Sequence, residues 1–519
     1  MAQELLGPEE SAIAERCQPM AYGPGASSPT MSGWRRWRAP LARSEPPRCL
    51  PRSEEPSPTE VSPSAVARLP DVTHVDTAGS GTATRWGRAA VVLITMSVFG
   101  PYLAGGIRTE QVAVYGAAVL LCALGLWSRV SLTTAGGVVV ALHLAVVGVA
   151  TIGVVFPPLN PTLHSVGSLT GGYDSLLLPL AVVLVLAMLV GSGANPAALL
   201  RSVCIVTVWA MAANTVVAIY SISSNSTTVL ALFRLFGEGE SVADRAERMG
   251  RYSGIFNQPA EAGLLYSVAL LAAIYLYRDH IPKFTVSVAA LTIGGTLSVS
   301  KIFLLVGAPI ALAQILLVPG RRRRMWSLAL TAVSVGLLTQ LDVLERWDGR
   351  DFLLRLLPGA GQGDQVTLYT AGRFGEHSSL NEVVGAAFDI SPMTGAGVRG
   401  LQLPYDNGWV EALVIAGVIG VVLHTALLAA LFVGWLHGRS ARPESVLAGG
   451  LVLAVVGASF GLPAITANRC ATIVWLLLGL LLVVARPAAA TTWWQRPGEG
   501  RHRVPPAVAP RLVGAGRRP

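Results

Sequence analysis

The chain has 519 residues, of which 52% are apolar and only 13% are charged. This composition excludes an ordinary soluble protein and predicts an all-α integral membrane protein that lies in a lipid bilayer. The formal net charge of +9 resides largely in the two tails and the short loops, so it reports membrane topology and gives no reason to expect a nucleic-acid partner.

Both ends of the chain differ in composition from the rest. Residues 1–87 are rich in Pro, Ser, Glu and Arg and contain no signal-peptide core, which predicts a disordered cytoplasmic tail. Within it, segment 34–38 (Trp-Arg-Arg-Trp-Arg) is suited to contact anionic lipid, although a solvated tail or a misplaced start codon is the simpler explanation. Residues 486–519 are expected to form a basic cytoplasmic tail.

Between the tails, apolar stretches long enough to cross about 30 Å of hydrocarbon recur along residues 88–485. They predict about twelve transmembrane helices. The stretches run approximately over 89–106, 111–127, 132–156, 175–192, 200–221, 258–277, 284–300, 302–319, 325–341, 408–436, 445–465 and 468–485. The number of spans depends on whether 284–300 and 302–319, the two short stretches on either side of Lys301, form a single broken pair.

Basic residues in the short loops set the expected orientation, because cytoplasmic loops retain Lys and Arg. With the N-terminus inside, the inner loops hold Arg129, Arg201, Arg278 with Lys283, Arg321 to Arg324, and Arg439 with Arg442. Both termini are therefore expected in the cytoplasm. The same alternation places two long loops outside the membrane, 222–257 and 342–407, and the second is expected to be a partly helical cap.

The sequence contains no motif for a metal, a nucleotide or a cofactor. Its five cysteines show neither metal-ligand spacing nor a disulfide framework. A Walker loop, a dinucleotide fingerprint, a His-Glu-x-x-His helix and a Ser-centred nucleophile elbow are also absent from the sequence. We therefore expect no cofactor and no metal.

Polar residues at the outer membrane edge are the candidates for function. In the stretch before the sixth span, Gly254 permits a tight turn, Asn257 is a favourable N-cap, and Pro259 suits the first turn of a helix. Arg251 should then be held at the helix start, beside exposed backbone N–H groups and near Arg248, in a site suited to phosphate oxygens. A capped helix with solvated basic residues is the alternative.

Lys301 interrupts apolar sequence on both sides, at the end of the stretch Thr-Leu-Ser-Val-Ser-Lys. A charge in such a position is costly unless the side chain reaches the interface or is paired. Lys301 is therefore either a functional cation or a lysine that extends to the interface.

The second half of the long outer loop carries a third group of polar residues. It begins with Arg373, Glu376 and His377, continues through an apolar stretch that predicts a helix, and reaches a Pro/Gly turn at 392–397. It ends with Asp406 and Asn407 directly before the tenth span.

In order and spacing, these patterns resemble the O-antigen ligase and polymerase superfamily. The matching residues are Arg251-x-x-Gly-x-Phe-x-x-Pro, Thr296-x-Ser-x-Ser-Lys301, Arg373, Pro392-x-x-Gly-x-Gly, Asp406-Asn407, Glu411 and Gly417-Val-Ile-Gly420, and they cover about residues 240–435. Members of that family are multi-span proteins that transfer a glycan from a polyprenyl diphosphate carrier to an acceptor at the outer face of the membrane, without metal or nucleotide.

The resemblance implies a metal-independent glycosyltransferase in the plasma (inner) membrane of a bacterium, making surface polysaccharide. Its implied partners are a polyprenyl-diphosphate-linked glycan, an acceptor glycan and other polysaccharide assembly proteins. The chain has Tyr405-Asp406 where the ligases usually show His, which favours a polymerase over a lipid A ligase. It has Ser300-Lys301 where the family has Ser-Arg, so the bidentate fork of Arg is lost there.

The implied reaction is an inverting transfer, in which the acceptor hydroxyl attacks the anomeric carbon and the diphosphate leaves. Arg251 and Arg373, supported by Arg248 and Lys301, would stabilise the negative charge on the diphosphate. The candidate bases are, in order, Asp406, Glu376, His377 and Glu411. These residues also have structural explanations. Asp406 with Asn407 suits an N-cap, Glu411 suits the first turn of a helix, and Arg399 suits an ion pair within the loop.

A transporter or flippase for lipid-linked oligosaccharide is the main alternative, since it also needs about a dozen spans. Repeated halves, broken helices and charges within the spans would favour it, and the sequence shows no obvious repeat and few such charges. A different membrane glycosyltransferase would carry acidic residues in the first outer loop, which here is only 107–110 with Glu110 alone. A purely structural membrane protein would not need the long charged loop.

Overall fold

The structure is a computed structural model that describes residues 78–103, 107–156, 168–224, 246–317, 379–400, 405–440 and 442–484, together with the single residues 329, 347, 349 and 353. Both predicted tails lie largely outside these residues. So do the predicted span 325–341 except for residue 329, the lipid-contact segment 34–38, and most of the first half of the long loop.

The described residues form α-helices, short 3₁₀ and π segments, and two isolated β-bridges. In chain order the α-helices are α1 (Ala78–Ser97), α2 (Thr109–Ala123), α3 (Thr134–Val155), α4 (Leu169–Gly191), α5 (Pro196–Ser224), α6 (Pro259–Tyr277), α7 (Ile281–Leu297), α8 (Ala308–Leu317), α9 (Ser379–Ile390), α10 (Gly408–His437), α11 (Pro443–Ala458) and α12 (Asn468–Leu478). The π segments are Phe303–Gly307 before α8 and Gly479–Val483 after α12.

Several of these helices are apolar enough to indicate a membrane protein. Within the described residues, five are both long and apolar enough to cross a bilayer: α3, α4, α6, α10 and, over Pro196–Ile222, α5. The predicted helical class is therefore confirmed, whereas the count of about twelve spans is supported for only five. Helix α9 confirms the predicted helical stretch of the long loop.

Helix α1 begins at Ala78, inside the predicted disordered tail 1–87. Glycines and a serine at its start disfavour a helix in the sequence alone, but its later residues pack on α5. Arg88 Nε donates to Ser202 Oγ at 3.2 Å, and a Cβ on Gly87 would lie 3.0 Å from Ala194. Tertiary contacts of this kind outweigh local propensity.

Helix α6 lies in the core of the bundle. Every residue from 261 to 274 is buried, as expected for a helix that is apolar on all sides. It contacts α5, α7, α8, α11 and α12. The segment just before α6, which contains Arg251, is therefore attached to the best-packed helix of the bundle.

Contacts between helix termini define two ends of the bundle. At one end, Tyr275 Oη donates to Glu444 at 3.3 Å, and Gln314 Nε2 donates to the carbonyl of Val446 at 2.8 Å. At the other end, the rings of Phe99 and Phe256 pack edge to face with centroids 6.1 Å apart. We call the first the Glu444 end and the second the Arg251 end.

Helix α10 reverses direction near its start. Ala416 (φ −141°, ψ 15°) and Gly417 (φ 63°, ψ −156°) are not helical. The rings of Trp409 and His424 lie 4.9 Å apart, although a straight helix would separate these positions by about 22 Å. A Cβ on Gly420 would lie 2.2 Å from the carbonyl oxygen of Ala412. Residues 408–415 therefore fold back along 418–437 as a half-helix.

This reversal corrects the single span predicted over 408–436. Residues 418–437 reach about 30 Å and are the part that can cross a bilayer. The half-helix 408–415 begins beside the end of α11, where the N–H of Gly408 donates to the carbonyl of Ser459. Gly417 permits the reversal because glycine adopts a positive φ without strain, whereas a residue with a side chain would be strained there.

Candidate functional site at the Arg251 end

Arg251 lies in a turn that is joined to the end of α7. Its backbone N–H donates to the carbonyl of Ala246 at 2.9 Å, and the indole N–H of Trp347 donates to the carbonyl of Gly250 at 2.5 Å. The N–H of Tyr252 donates to the carbonyl of Leu297 at 3.0 Å. The backbone at Arg251 is therefore fixed, and its half-buried side chain starts from a defined position.

Asn214 of α5 holds the residues after Arg251. Its Oδ1 accepts from the N–H of Ile255 at 2.9 Å, and its Nδ2 donates to the carbonyl of Ser253 at 3.2 Å. Gly254 between them has φ 65°, and a Cβ there would lie 2.1 Å from Asn214 Oδ1. The Gly of the Arg-x-x-Gly-x-Phe-x-x-Pro motif is thus required by the fold itself.

Helix α6 begins one residue later than the sequence suggests. Gln258 occupies the N-cap position and makes no side-chain capping hydrogen bond, so the prediction of Asn257 as N-cap is wrong. Pro259 is in the first turn as predicted. The buried Oδ1 of Asn257 accepts no hydrogen bond from the described residues, which leaves a polar atom beside the Arg251 turn.

Lys301 follows a strained turn between α7 and the π segment. Val299 has φ 43° and is fully buried, which is unusual for a β-branched residue and marks stored strain. The buried Oγ of Ser300 has no hydrogen-bond partner within the described residues. A Cβ on Gly263 of α6 would lie 2.0 Å from that oxygen, so the turn rests closely on α6. Lys301 itself is half-buried.

The Pro392-x-x-Gly-x-Gly motif supports the reversal of α10. The carbonyl of Pro392 accepts from the N–H of Val418 at 2.8 Å, and the N–H of Ala396 donates to the carbonyl of Val414 at 2.7 Å. Gly395 has φ 67°, and a Cβ there would meet the backbone of α10 at 2.5 Å. This motif therefore has a structural role.

Asp406 and Asn407 precede the half-helix, and Asn407 is its N-cap as expected. Asn407 Oδ1 accepts from the N–H groups of Trp409 and Val410 at 2.9 and 3.3 Å. Asp406 is half-buried, whereas Glu411 is buried and accepts a hydrogen bond from Thr466 Oγ1. The two carboxylates therefore have different access to a bound substrate.

Burial, and after it the nearby Glu411 carboxylate, raises the pKa of the Tyr405 phenol to about 12. Tyr405 accordingly stays protonated, and its Oη donates to the carbonyl of Gly400 at 2.8 Å. Tyr405 is thus a fixed hydrogen-bond donor within the loop.

Contacts of neighbouring residues link three of these positions. The N–H of Gly408 donates to the carbonyl of Ser459 at 2.8 Å. A Cβ on Gly461 would lie 3.4 Å from Ile302, the neighbour of Lys301. Arg251, Lys301 and Asp406 therefore lie around the same end of the bundle, and Arg248 is exposed there on the turn before Arg251. Arg373, Glu376 and His377 lie outside the described residues.

A buried ionic network at this end was not predicted from the sequence. Arg108 pairs with Glu110 at 3.2 Å and also with Asp174 of α4. Asp174 accepts further hydrogen bonds from Gln111 and, at 3.0 Å, from Tyr115. An Asp directly before the predicted span 175–192 was the available signal, because an ionisable residue at the edge of a span needs partners.

Arg469 and Glu261 extend the network towards α6. The Arg469 guanidinium donates to the carbonyl of Gly100 at 2.9 Å and lies over the Tyr102 ring at 4.7 Å. Burial, followed by the nearby Glu261 carboxylate, raises the pKa of the Tyr102 phenol. Arg108 and Arg469 lie among three acidic side chains, Glu110, Asp174 and Glu261, so this network is better suited to holding helix ends together than to binding an anion.

The described residues contain no group of three or more His, Cys, Asp or Glu side chains able to hold a metal ion. The sequence matches no protein-family model and no curated protein. The candidate site therefore rests on its own geometry and on the order of its motifs.

Proposed function

We propose that the protein is a membrane glycan polymerase or ligase, which transfers a saccharide from a polyprenyl diphosphate carrier to an acceptor glycan at the outer face of a bacterial plasma membrane. The observation that carries the proposal is the fixed turn at Arg251. Asn214 and the carbonyl of Leu297 hold its backbone, so a guanidinium is presented from a rigid scaffold beside the strained Ser300-Lys301 turn. Preorganised cations of this kind stabilise a leaving diphosphate without a metal.

In the proposed reaction, the acceptor hydroxyl oxygen forms a bond to the anomeric carbon while the bond from that carbon to the diphosphate oxygen breaks. The bonding electrons leave with the diphosphate, whose charge Arg251, Lys301 and Arg373 stabilise. The hydroxyl proton passes to a base. Asp406 is the favoured base among the described candidates, since it is half-buried whereas Glu411 is enclosed.

The proposal is tested with purified protein in proteoliposomes that contain a lipid-linked repeat unit. We expect a ladder of longer glycans, and we expect the change Arg251→Ala to reduce its rate by a factor of about 100 or more, because the mutation removes charge stabilisation in the transition state. Arg278→Ala is the matched control, since Arg278 is exposed at the Glu444 end. Lys301→Arg should be tolerated if the charge acts on phosphate.

A normal ladder from a well-folded Arg251→Ala protein would remove Arg251 from the mechanism. Absence of a ladder from the unmodified protein, with movement of the intact lipid-linked glycan across the bilayer, would favour the second candidate function, a flippase or transporter. The reversal of α10 is a broken helix of the kind that transporters use, which is the observation in favour of that alternative.

A further inference from the structure

A second polar centre lies inside the bundle, away from the Arg251 turn. Glu411 and His424 of α10, His143 of α3, and Thr466 surround a cavity of 20 Å³, which has room for about one water molecule. The remaining lining is mostly apolar. Glu411 and His424 are each 6% exposed and His143 is 2% exposed, so none of them is a surface residue.

The reversal of α10 creates this centre. In a straight helix, Glu411 and His424 would lie about 20 Å apart. Folding back brings both onto the same cavity, and a Cβ on Gly408 would lie 3.5 Å from His424 Cε1. His424 is six residues beyond the reversal, so the centre lies about 9 Å below its tip, within the apolar part of the helices.

The hydrogen bonds of the cavity are incomplete within the described residues. Thr466 Oγ1 donates to Glu411 Oε1. His143 Nε2 lies 2.8 Å from the carbonyl of Leu176, so this nitrogen carries the hydrogen. His424 Nε2 is buried and has no hydrogen-bond partner among the described residues. The cavity therefore presents an imidazole nitrogen and a carboxyl group with unused hydrogen-bonding capacity.

Charge balance then requires a proton. Among the described residues, no Arg or Lys side chain lines the cavity. The other titratable group close to Glu411 is Tyr405, whose phenol is neutral. An isolated carboxylate is very costly in such surroundings. Glu411 is therefore either protonated, or ionised beside a protonated imidazole. Both arrangements hold one proton.

We propose that Glu411 and His424 form an intramembrane proton-binding site, with His143 as the third polar wall. The proton moves between a Glu411 carboxyl oxygen and the lone pair of an imidazole nitrogen of His424, directly or through one water molecule. No electron is transferred and no other bond changes. The positive end of half-helix 408–415 stabilises the ionised form of Glu411 in its first turn.

Infrared titration of the purified protein in nanodiscs tests this proposal. The C=O stretching band of a protonated carboxyl group is assigned to Glu411 by its loss in Glu411→Gln and its shift in Glu411→Asp. In His424→Gln, the proton can no longer move from Glu411 to an imidazole at position 424. We expect the Glu411 band to become stronger at neutral pH, and its midpoint to rise by about one pH unit.

His437→Gln is the matched control, because His437 is exposed at the other end of the same helix, and it should leave the band unchanged. The proposal is overturned if His424→Gln shows the same carboxyl band and the same midpoint as the unmodified protein. This comparison between two proteins does not depend on the Glu411 variants. It is also overturned if neither protein has a protonated Glu411 between about pH 5 and pH 8. The measurement uses no glycan, so its outcome is independent of the proposed transfer reaction.

Discussion

Asp174 shows how a single residue can hold the Arg251 end together. Its carboxylate accepts hydrogen bonds from Arg108, the N-cap of α2, and from Gln111 and Tyr115 within α2. The side chain of Asp174 is 12% exposed. Removing one partner of a buried ion pair leaves the other charge without compensation. Its contribution should therefore greatly exceed that of an ion pair on the surface.

We expect Asp174→Asn to destabilise the protein by about 3–5 kcal/mol, because Arg108 loses its second carboxylate partner in a buried site. Asp279→Asn is the control, because its pair with Arg278 at 3.2 Å is exposed and worth about 1 kcal/mol or less. The midpoints of thermal unfolding in the same detergent measure the difference. Equal midpoints for the two variants would contradict the assignment of Asp174 to a buried network.

At the level of elements, the reversal of α10 could not be found from the sequence. Gly417 and Gly420 lie in a long apolar run, and glycine is common in transmembrane helices that stay straight. The break depends on a distant segment, since the carbonyl of Pro392 accepts from the N–H of Val418. Local sequence carries no sign of that contact.

Chemical cross-linking should detect the reversal. Cysteines placed at Trp409 and His424, in a protein whose native cysteines have been replaced, are expected to be joined by a bismaleimide that spans about 8 Å. Their rings lie 4.9 Å apart, against about 22 Å in a straight helix.

Val422 and His437 form the matched control pair. They have the same separation of fifteen residues within 418–437, where the chain stays helical. Substituted with cysteine, they should not be joined by the same reagent. Cross-linking of neither pair, in proteins that elute as folded, would show that α10 continues straight through Gly417.

For the whole molecule, the sequence predicted the helical class, because apolar composition and span length follow from the bilayer. It predicted Arg251, Lys301 and Asp406 as outer-edge residues, and contacts bring them to one end of the bundle. The pairing of Arg108 with Asp174, and the position of Glu411 and His424 on one cavity, could not be predicted. Each pair joins positions that come together only through packing or reversal of helices, and a single sequence does not specify which spans are neighbours.

The orientation of the bundle is the remaining prediction from the sequence, and the two ends make it testable. Exposed basic residues cluster at the Glu444 end: Arg129, Arg201, Arg278, Arg439 and Arg442. By the preference of Lys and Arg for the cytoplasm, this end is expected to face inward and the Arg251 end outward.

We expect Met393→Cys to react with a membrane-impermeant maleimide in intact cells, because Met393 is 56% exposed on the turn that supports α10. Ser440→Cys, exposed at the Glu444 end, should react only after permeabilisation. Both variants need a background without the five native cysteines. The opposite pattern would place Arg251, Lys301 and Asp406 in the cytoplasm. A glycan displayed on its carrier at the outer face could not then reach them, so the proposed transfer would be excluded while the fold and the proton site would be unaffected.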